Sequence, residues 1–89
     1  MEKEEIISRA LSAGTRRRIL RLLSEKELNV KDISEKTGMS MSLTSRHLTF
    51  LSDLGLLNVR KESPFKFYSI KLKDVKELLV LYDRVIGKL

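Results

Sequence analysis

The stretch that most restricts what this chain can fold into is residues 38–55, GMSMSLTSRHLTFLSDLG, bounded by two glycines. Ser40 can cap a helix there, its hydroxyl accepting a bond from a free amide of the first turn. Gly38 can close a preceding helix in a left-handed conformation, and Gly55 can do the same at the far end. At about 100° per residue, Thr44, His47, Leu48, Leu51 and Leu54 fall on one side of the helix, and Ser42, Ser45, Arg46, Thr49 and Asp53 on the other. The first side suits a core. The second is short, hydroxylated and carries one arginine, a face that can enter a major groove about 12 Å wide and read base edges. Leu43 and Phe50 flank it and are too apolar for it; they suit thymine methyls, packing under a wing, or a protein partner.

What precedes this helix makes it the second half of a pair. Asn29 can cap a short helix, Asp32 can bond back three residues later, and Leu28 can staple onto Ile33. That helix ends at Thr37-Gly38, and after Met39 the next one opens on Ser40. Two helices joined in this way form a helix-turn-helix, in which the second enters the groove and the first crosses the backbone. After Gly55 the period changes. Residues 56–61 read as a short strand, Glu62-Ser63-Pro64 as a turn, and residues 65–72 as a returning strand with apolar residues close to a period of two. The hairpin is a wing, basic through Arg60, Lys61, Lys66 and Lys71, whose charges either follow phosphates or only protect a sheet edge.

Two further helices flank these elements. Residues 2–12 begin with acidic residues, which suit a helix N-terminus, and carry a short stripe of Ile6, Ile7, Ala10 and Leu11 that must lie on something else. Thr15 can cap the next helix, which sets Ile19, Leu20, Leu22 and Leu23 against Arg16, Arg17, Arg18 and Arg21. Such an arginine cluster either contacts phosphates, which suit the planar guanidinium fork, or pairs with the acidic first helix, Glu25 or Glu27. Residues 73–89 form a last helix with Val75, Leu78, Leu79, Tyr82, Ile86 and Leu89 at helical spacing, widened by Val80, Leu81 and Val85. It either closes the domain's own core or packs, with the first helix, on a second copy of the chain; the breadth of the apolar face favours the dimer.

The 89 residues make one domain, 1–89. Eighteen basic residues against twelve acidic give a net charge of +6, which favours a polyanionic partner. There is no cysteine and His47 is the only histidine, so thiolate chemistry is excluded and a metal site is not expected. No apolar run is long enough to cross a membrane and the acidic start lacks a signal-peptide pattern, which together suit a cytoplasmic protein. No nucleophile and base, phosphate-cradling glycine loop or ligand cluster suggests an enzyme or a cofactor.

The ordered set Thr15-Arg16-Arg17-x-Ile19-Leu20-x-Leu22-Leu23, Ser45-Arg46-His47-Leu48-x-x-Leu51 and Leu54-Gly55-Leu56 resembles the ArsR-type winged-helix repressors, over about residues 10–70. The resemblance implies a mainly α fold with a small β-hairpin, a winged helix-turn-helix whose N- and C-terminal helices form a dimer interface. It also implies that the helix near residues 41–54 reads operator DNA. Three features depart from the family. Asn29 and Lys31 stand where its metal sensors carry cysteines. Asp74 and Asp83 on the last helix have no histidine beside them. Ser63-Pro64-Phe65-Lys66 replaces a glycine-rich wing tip.

These readings converge on a homodimeric, sequence-specific regulator of double-stranded DNA, a repressor reading an inverted repeat through the helix near residues 41–54, without metal or cofactor and with its inducer unread. Ser42, Ser45, Arg46 and Thr49 are the expected base readers. Arg16, Arg17, Ser40, His47, Arg60, Lys61 and Lys66 are expected on the backbone, and Ile6, Ile7, Ala10, Val75, Leu78, Leu79, Tyr82, Ile86 and Leu89 at the dimer interface. A winged-helix module that docks on transcription proteins, or a non-specific architectural DNA binder, are the alternatives.

Overall fold

Caps, glycines and apolar spacing divide the chain into five helices and three short strands, described here for all residues 1–89 in a computed structural model. In order these are α1 (Lys3–Leu11), α2 (Gly14–Glu25), β1 (Leu28–Asn29), α3 (Val30–Thr37), α4 (Met41–Asp53), β2 (Leu57–Glu62), β3 (Phe65–Ile70) and α5 (Lys73–Gly87). The helix-turn-helix pair forms as its end signals require. Asn29 accepts a bond from the Asp32 amide at 2.8 Å, and Ser40 accepts one from the Leu43 amide at 3.1 Å. Gly38 sits at φ 75°, with its amide bonded to the Ser34 carbonyl. At the far end of α4, Gly55 at φ 82° turns the chain so that the Gly55 amide reaches the Ser52 carbonyl and the Leu56 amide reaches Leu51. This Schellman arrangement satisfies the orphan carbonyls and needs a residue that tolerates positive φ.

The wing is part of a three-stranded antiparallel sheet of order β1-β3-β2. In the hairpin Leu57 pairs with Ile70, Arg60 with Phe67 and Lys61 with Lys66. The third strand was not foreseen: Leu28 and Asn29, expected only as a helix start, also pair with Tyr68 and Phe67. Two residues are too short to show a period of two, so only their partner strand defines them as a strand. The returning strand stops at Ile70 rather than residue 72: the Lys71 amide still bonds in register to the Leu56 carbonyl, and Leu72 is already the cap position of α5.

One cluster of fourteen buried apolar residues draws on every helix and strand, with Ile19, Leu20, Ile33, Leu48 and Leu51 fully buried. Thr44, on the inner face of α4, is also fully buried, and its hydroxyl donates to the Ser40 carbonyl at 2.8 Å. Two expectations are corrected here. Thr15 does not cap α2; Ala13 holds that position without a side-chain bond, and the Thr15 hydroxyl is turned toward His47. Ala10, Val75 and Leu79, expected at a dimer surface, are at most 5% exposed and belong to the chain's own core. The apolar residues that α5 leaves open are Leu78, Val80, Leu81, Val85 and Ile86, with Leu89 just beyond it.

Candidate nucleic-acid interface

Because Thr44, Leu48 and Leu51 fix the inner face of α4, its other face is turned outward. Ser42, Ser45, Arg46, Thr49 and Asp53 are all exposed on it. They border an open cleft of ≈ 1060 Å³, whose opposite wall is the wing tip at Pro64-Phe65-Lys66 and whose end is the start of α3 at Asn29-Val30-Lys31. The cleft carries three cations, Lys31, Arg46 and Lys66, against the single carboxylate of Asp53. Its four expected base readers therefore stand together, on a rigid helix, in a concave and net positive setting.

The residues expected on the DNA backbone fare differently. Ser40 caps α4 by accepting from the Leu43 amide, and its O–H donates to nothing within the chain. His47 is half-buried where α4 meets α2, its Nε2 lying 3.3 Å from the Thr15 hydroxyl. Burial, and then the charges of Arg16 and Arg46, hold its pKa below 6.5. The Arg16 guanidinium lies 4.6 Å above the Phe50 ring and donates to the Arg9 carbonyl at 2.8 and 3.1 Å and to the Ser12 hydroxyl at 3.1 Å. Arg17 donates to the Leu11 carbonyl. These two arginines thus close the C-terminal end of α1, where helix carbonyls lack partners of their own. Arg21 forms a fork with Asp83 of α5, with a shortest separation of 2.7 Å, and its pKa is raised chiefly by that hydrogen bond. The basic cluster of α2 therefore pairs with neither the acidic first helix nor Glu25 or Glu27.

Glu27 instead holds Arg60 of β2. The guanidinium donates to both Glu27 carboxylate oxygens, at 2.7 and 3.2 Å, and to Glu62, while it stacks 4.6 Å above Phe67. Arg60, expected on the DNA backbone, has each of its three nitrogens bonded to a glutamate inside the chain, with two N–H groups left over. The partners Arg60 and Glu27 lie 33 residues apart and meet only through the pairing of β1 with β3, so no spacing in the sequence announces them. Arg60 and Glu62 are two apart on one strand, a signal that was open to reading. Lys61 and Lys66 face each other across the hairpin and make no ion pair. Phe50 is half-buried, leaving Met41 and Leu43 as the exposed apolar side chains of α4. No three carboxylate or imidazole groups are grouped so as to hold a metal ion, and no helix is long and apolar enough to cross a membrane.

Residues 14–59 match the family described as bacterial regulatory protein, arsR family. The chain is similar to the transcriptional activator HlyU of Vibrio cholerae, 34% identical over 83 residues that cover 93% of this chain and 77% of that protein. It is similar to an HTH-type transcriptional regulator of Methanocaldococcus jannaschii, 34% identical over 85 residues, covering 94% of this chain and 96% of the other. Among solved structures, the homodimeric winged helix-turn-helix DNA-binding domain of Mb0332 from Mycobacterium bovis matches with a TM-score of 0.88 and 32% identity. That match covers 97% of this chain and 80% of that one.

Proposed function

The chain belongs to the arsR family of transcriptional regulators, and from that premise we propose that it is a homodimeric repressor that reads an inverted repeat in double-stranded DNA through α4. The observation that carries this reading is the outward face of α4 with its cleft, three cations against one carboxylate. Each copy places one α4 in a major groove. Arg46 pairs with a guanine, Ser42, Ser45 and Thr49 bond base edges, and Lys61, Lys66 and His47 meet phosphates beside them. Ser40 keeps its hydroxyl on α4, and Arg16 and Arg17 act by fixing α1 against α2.

Two copies join through the exposed side of α5, Leu78, Leu81, Val85, Ile86 and Leu89, together with Tyr82, Ile6 and Ile7 at its margin. The chain works as one domain in the cytoplasm, and repression comes from occupancy of the operator. No step of catalysis is assigned to it: the cleft offers hydroxyls, cations and one carboxylate, with no base beside a nucleophile. Regulation through the family's cysteine positions has no chemistry here, since Asn29 is a helix cap and Lys31 lacks a free lone pair when charged. The protein-docking alternative leaned on Leu43 and Phe50, and Phe50 is half-buried under Arg16.

The test is selection from a random duplex pool at near-physiological salt. Enrichment of an inverted repeat with half-sites about one helical turn apart is the expected result. Retention of duplexes without any enriched sequence refutes base reading, and no retention at all refutes DNA binding.

A further inference from the structure

A wing arginine reaches phosphate best with its fork free, and Arg60 has all three guanidinium nitrogens engaged inside the chain, with one N–H left on each terminal nitrogen. Two of its nitrogens donate to the Glu27 carboxylate, at 2.7 and 3.2 Å, the third donates to Glu62, and one face of the guanidinium is covered by Phe67. This bidentate fork is the geometry arginine would otherwise offer a phosphate. The cluster as a whole, one cation against two carboxylates, carries a net negative charge. The same bonds that lower the Glu27 pKa raise that of Arg60, so both partners stay ionised.

The register of the hairpin separates this cluster from the wing's other cations. Side chains alternate between the faces of a strand. Arg60 and Glu62 therefore share one face with their partners Phe67 and Phe65, while Lys61 and Lys66 share the other with Tyr68 and Ile70. At the tip Lys66 lines the cleft beside α4, with Phe65 next to it, whereas Arg60 and Lys61 lie farther back on β2 and do not. Lys61 and Lys66 also stand directly opposite each other, an arrangement that opposes pairing unless an anion lies near.

Building on the DNA-binding reading above, we infer that Glu27 and Glu62 hold Arg60 off the DNA backbone, so that Lys61 and Lys66 alone make the wing's phosphate contacts. The two glutamates thereby limit the part of the affinity that ignores sequence. They act as intramolecular stand-ins for phosphate, and Glu27 is a specificity-determining residue that touches no DNA.

The experiment is fluorescence anisotropy of a labelled random-sequence duplex with the full chain over a range of salt concentrations. The variants are Arg60→Gln, Glu27→Gln with Glu62→Gln, the triple combination, and Lys61→Gln. Arg60→Gln is expected to leave the slope of log affinity against log salt unchanged, and Lys61→Gln to flatten it by about 0.9, the value of one phosphate contact. The double glutamine variant is expected to steepen the slope by about 0.9 and tighten binding to the random duplex. The triple variant is expected to return to the slope of the unaltered chain. The inference is overturned if Arg60→Gln alone flattens the slope, since Arg60 then already touches phosphate. It is equally overturned if the double glutamine change has the same effect with and without Arg60, since bulk charge then explains it. Absence of any binding by the unaltered chain is a different outcome and removes the DNA-binding reading together with this one. All four altered side chains are exposed, on the wing or at the edge of its sheet, and thermal melting checks that each variant is folded.

Discussion

Val85→Glu is the change that most directly tests how two copies meet. Val85 is 51% exposed on α5, between Leu81 at 50% and Ile86 at 52%, and Leu78 continues the same side two turns back. Burying a whole side chain of this kind is worth about 1.5–3 kcal/mol, so burying the exposed half is worth roughly 1 kcal/mol. A twofold interface counts each residue twice. Losing Val85 therefore removes about 2 kcal/mol from the dimer. Bringing two unpaired carboxylates toward an apolar surface adds at least about 1 kcal/mol for each. The sum, about 4 kcal/mol, weakens association by nearly three powers of ten. Sedimentation equilibrium over a concentration series reads this directly. The fold itself should be retained, because Val85 lies outside the core, and a melting curve close to that of the unaltered chain checks it. A variant that stays dimeric at the same concentrations would refute the assignment of this face, as would an unaltered chain that sediments as a monomer.

Three further outcomes follow from the cleft and its supports. Arg46→Ala should lose discrimination of about 1–3 kcal/mol at one base of each half-site while the melting curve is unchanged; binding assays on single-base operator variants check both. Ser40→Ala should lower stability by about 1 kcal/mol, because the Leu43 amide loses its acceptor, and denaturant midpoints measure the loss. His47, whose folded pKa lies below the 6.5 of the free group, binds protons less readily in the native state than in the unfolded one. Its stabilisation is therefore complete above that value and is lost as the pH falls through it toward the folded pKa. Denaturant midpoints at about pH 7.5 and about pH 5.5 should differ less in His47→Gln than in the unaltered chain.

The helix pair and the outward face of α4 were legible in the residues because they rest on local rules. Ser40, Asn29, Gly38 and Gly55 each act within a few positions of themselves, and the faces of α4 follow from spacing alone. The wing was legible in outline for the same reason. What escaped the sequence depends on pieces far apart in the chain. The strand at Leu28–Asn29 exists only because β3 lies beside it. Glu27 finds Arg60, and Arg21 finds Asp83, across 33 and 62 residues. The apolar residues of the terminal helices posed the hardest case, since period marks a face as apolar without saying what covers it. Val75 and Leu79 are covered by the chain itself, whereas Ile86, two turns beyond Leu79 and three beyond Val75, and Val85 beside it run past the end of the core and stay open.

That difference also explains how the two outward faces of the molecule are related. The reading helix α4 and the terminal helix α5 are both packed against α2, which also contacts α1, α3 and β3. Ile19, Leu20 and Leu23 of α2 are essentially unexposed, so this helix has no freedom to slide without repacking its neighbours. Polar fastenings reinforce it on both sides. Thr15 meets His47 and Arg16 covers Phe50 on the side of α4, while Arg21 holds Asp83 on the side of α5. In the dimer proposed above, the distance between the two α4 helices would follow from how α2 ties α4 to α5, and not from the residues proposed to touch bases. On that reading, half-site spacing and the sequence within a half-site would answer to separate parts of one small core, so changes at Arg21 or Asp83 should alter the preferred spacing in a duplex selection and leave the half-site sequence unchanged.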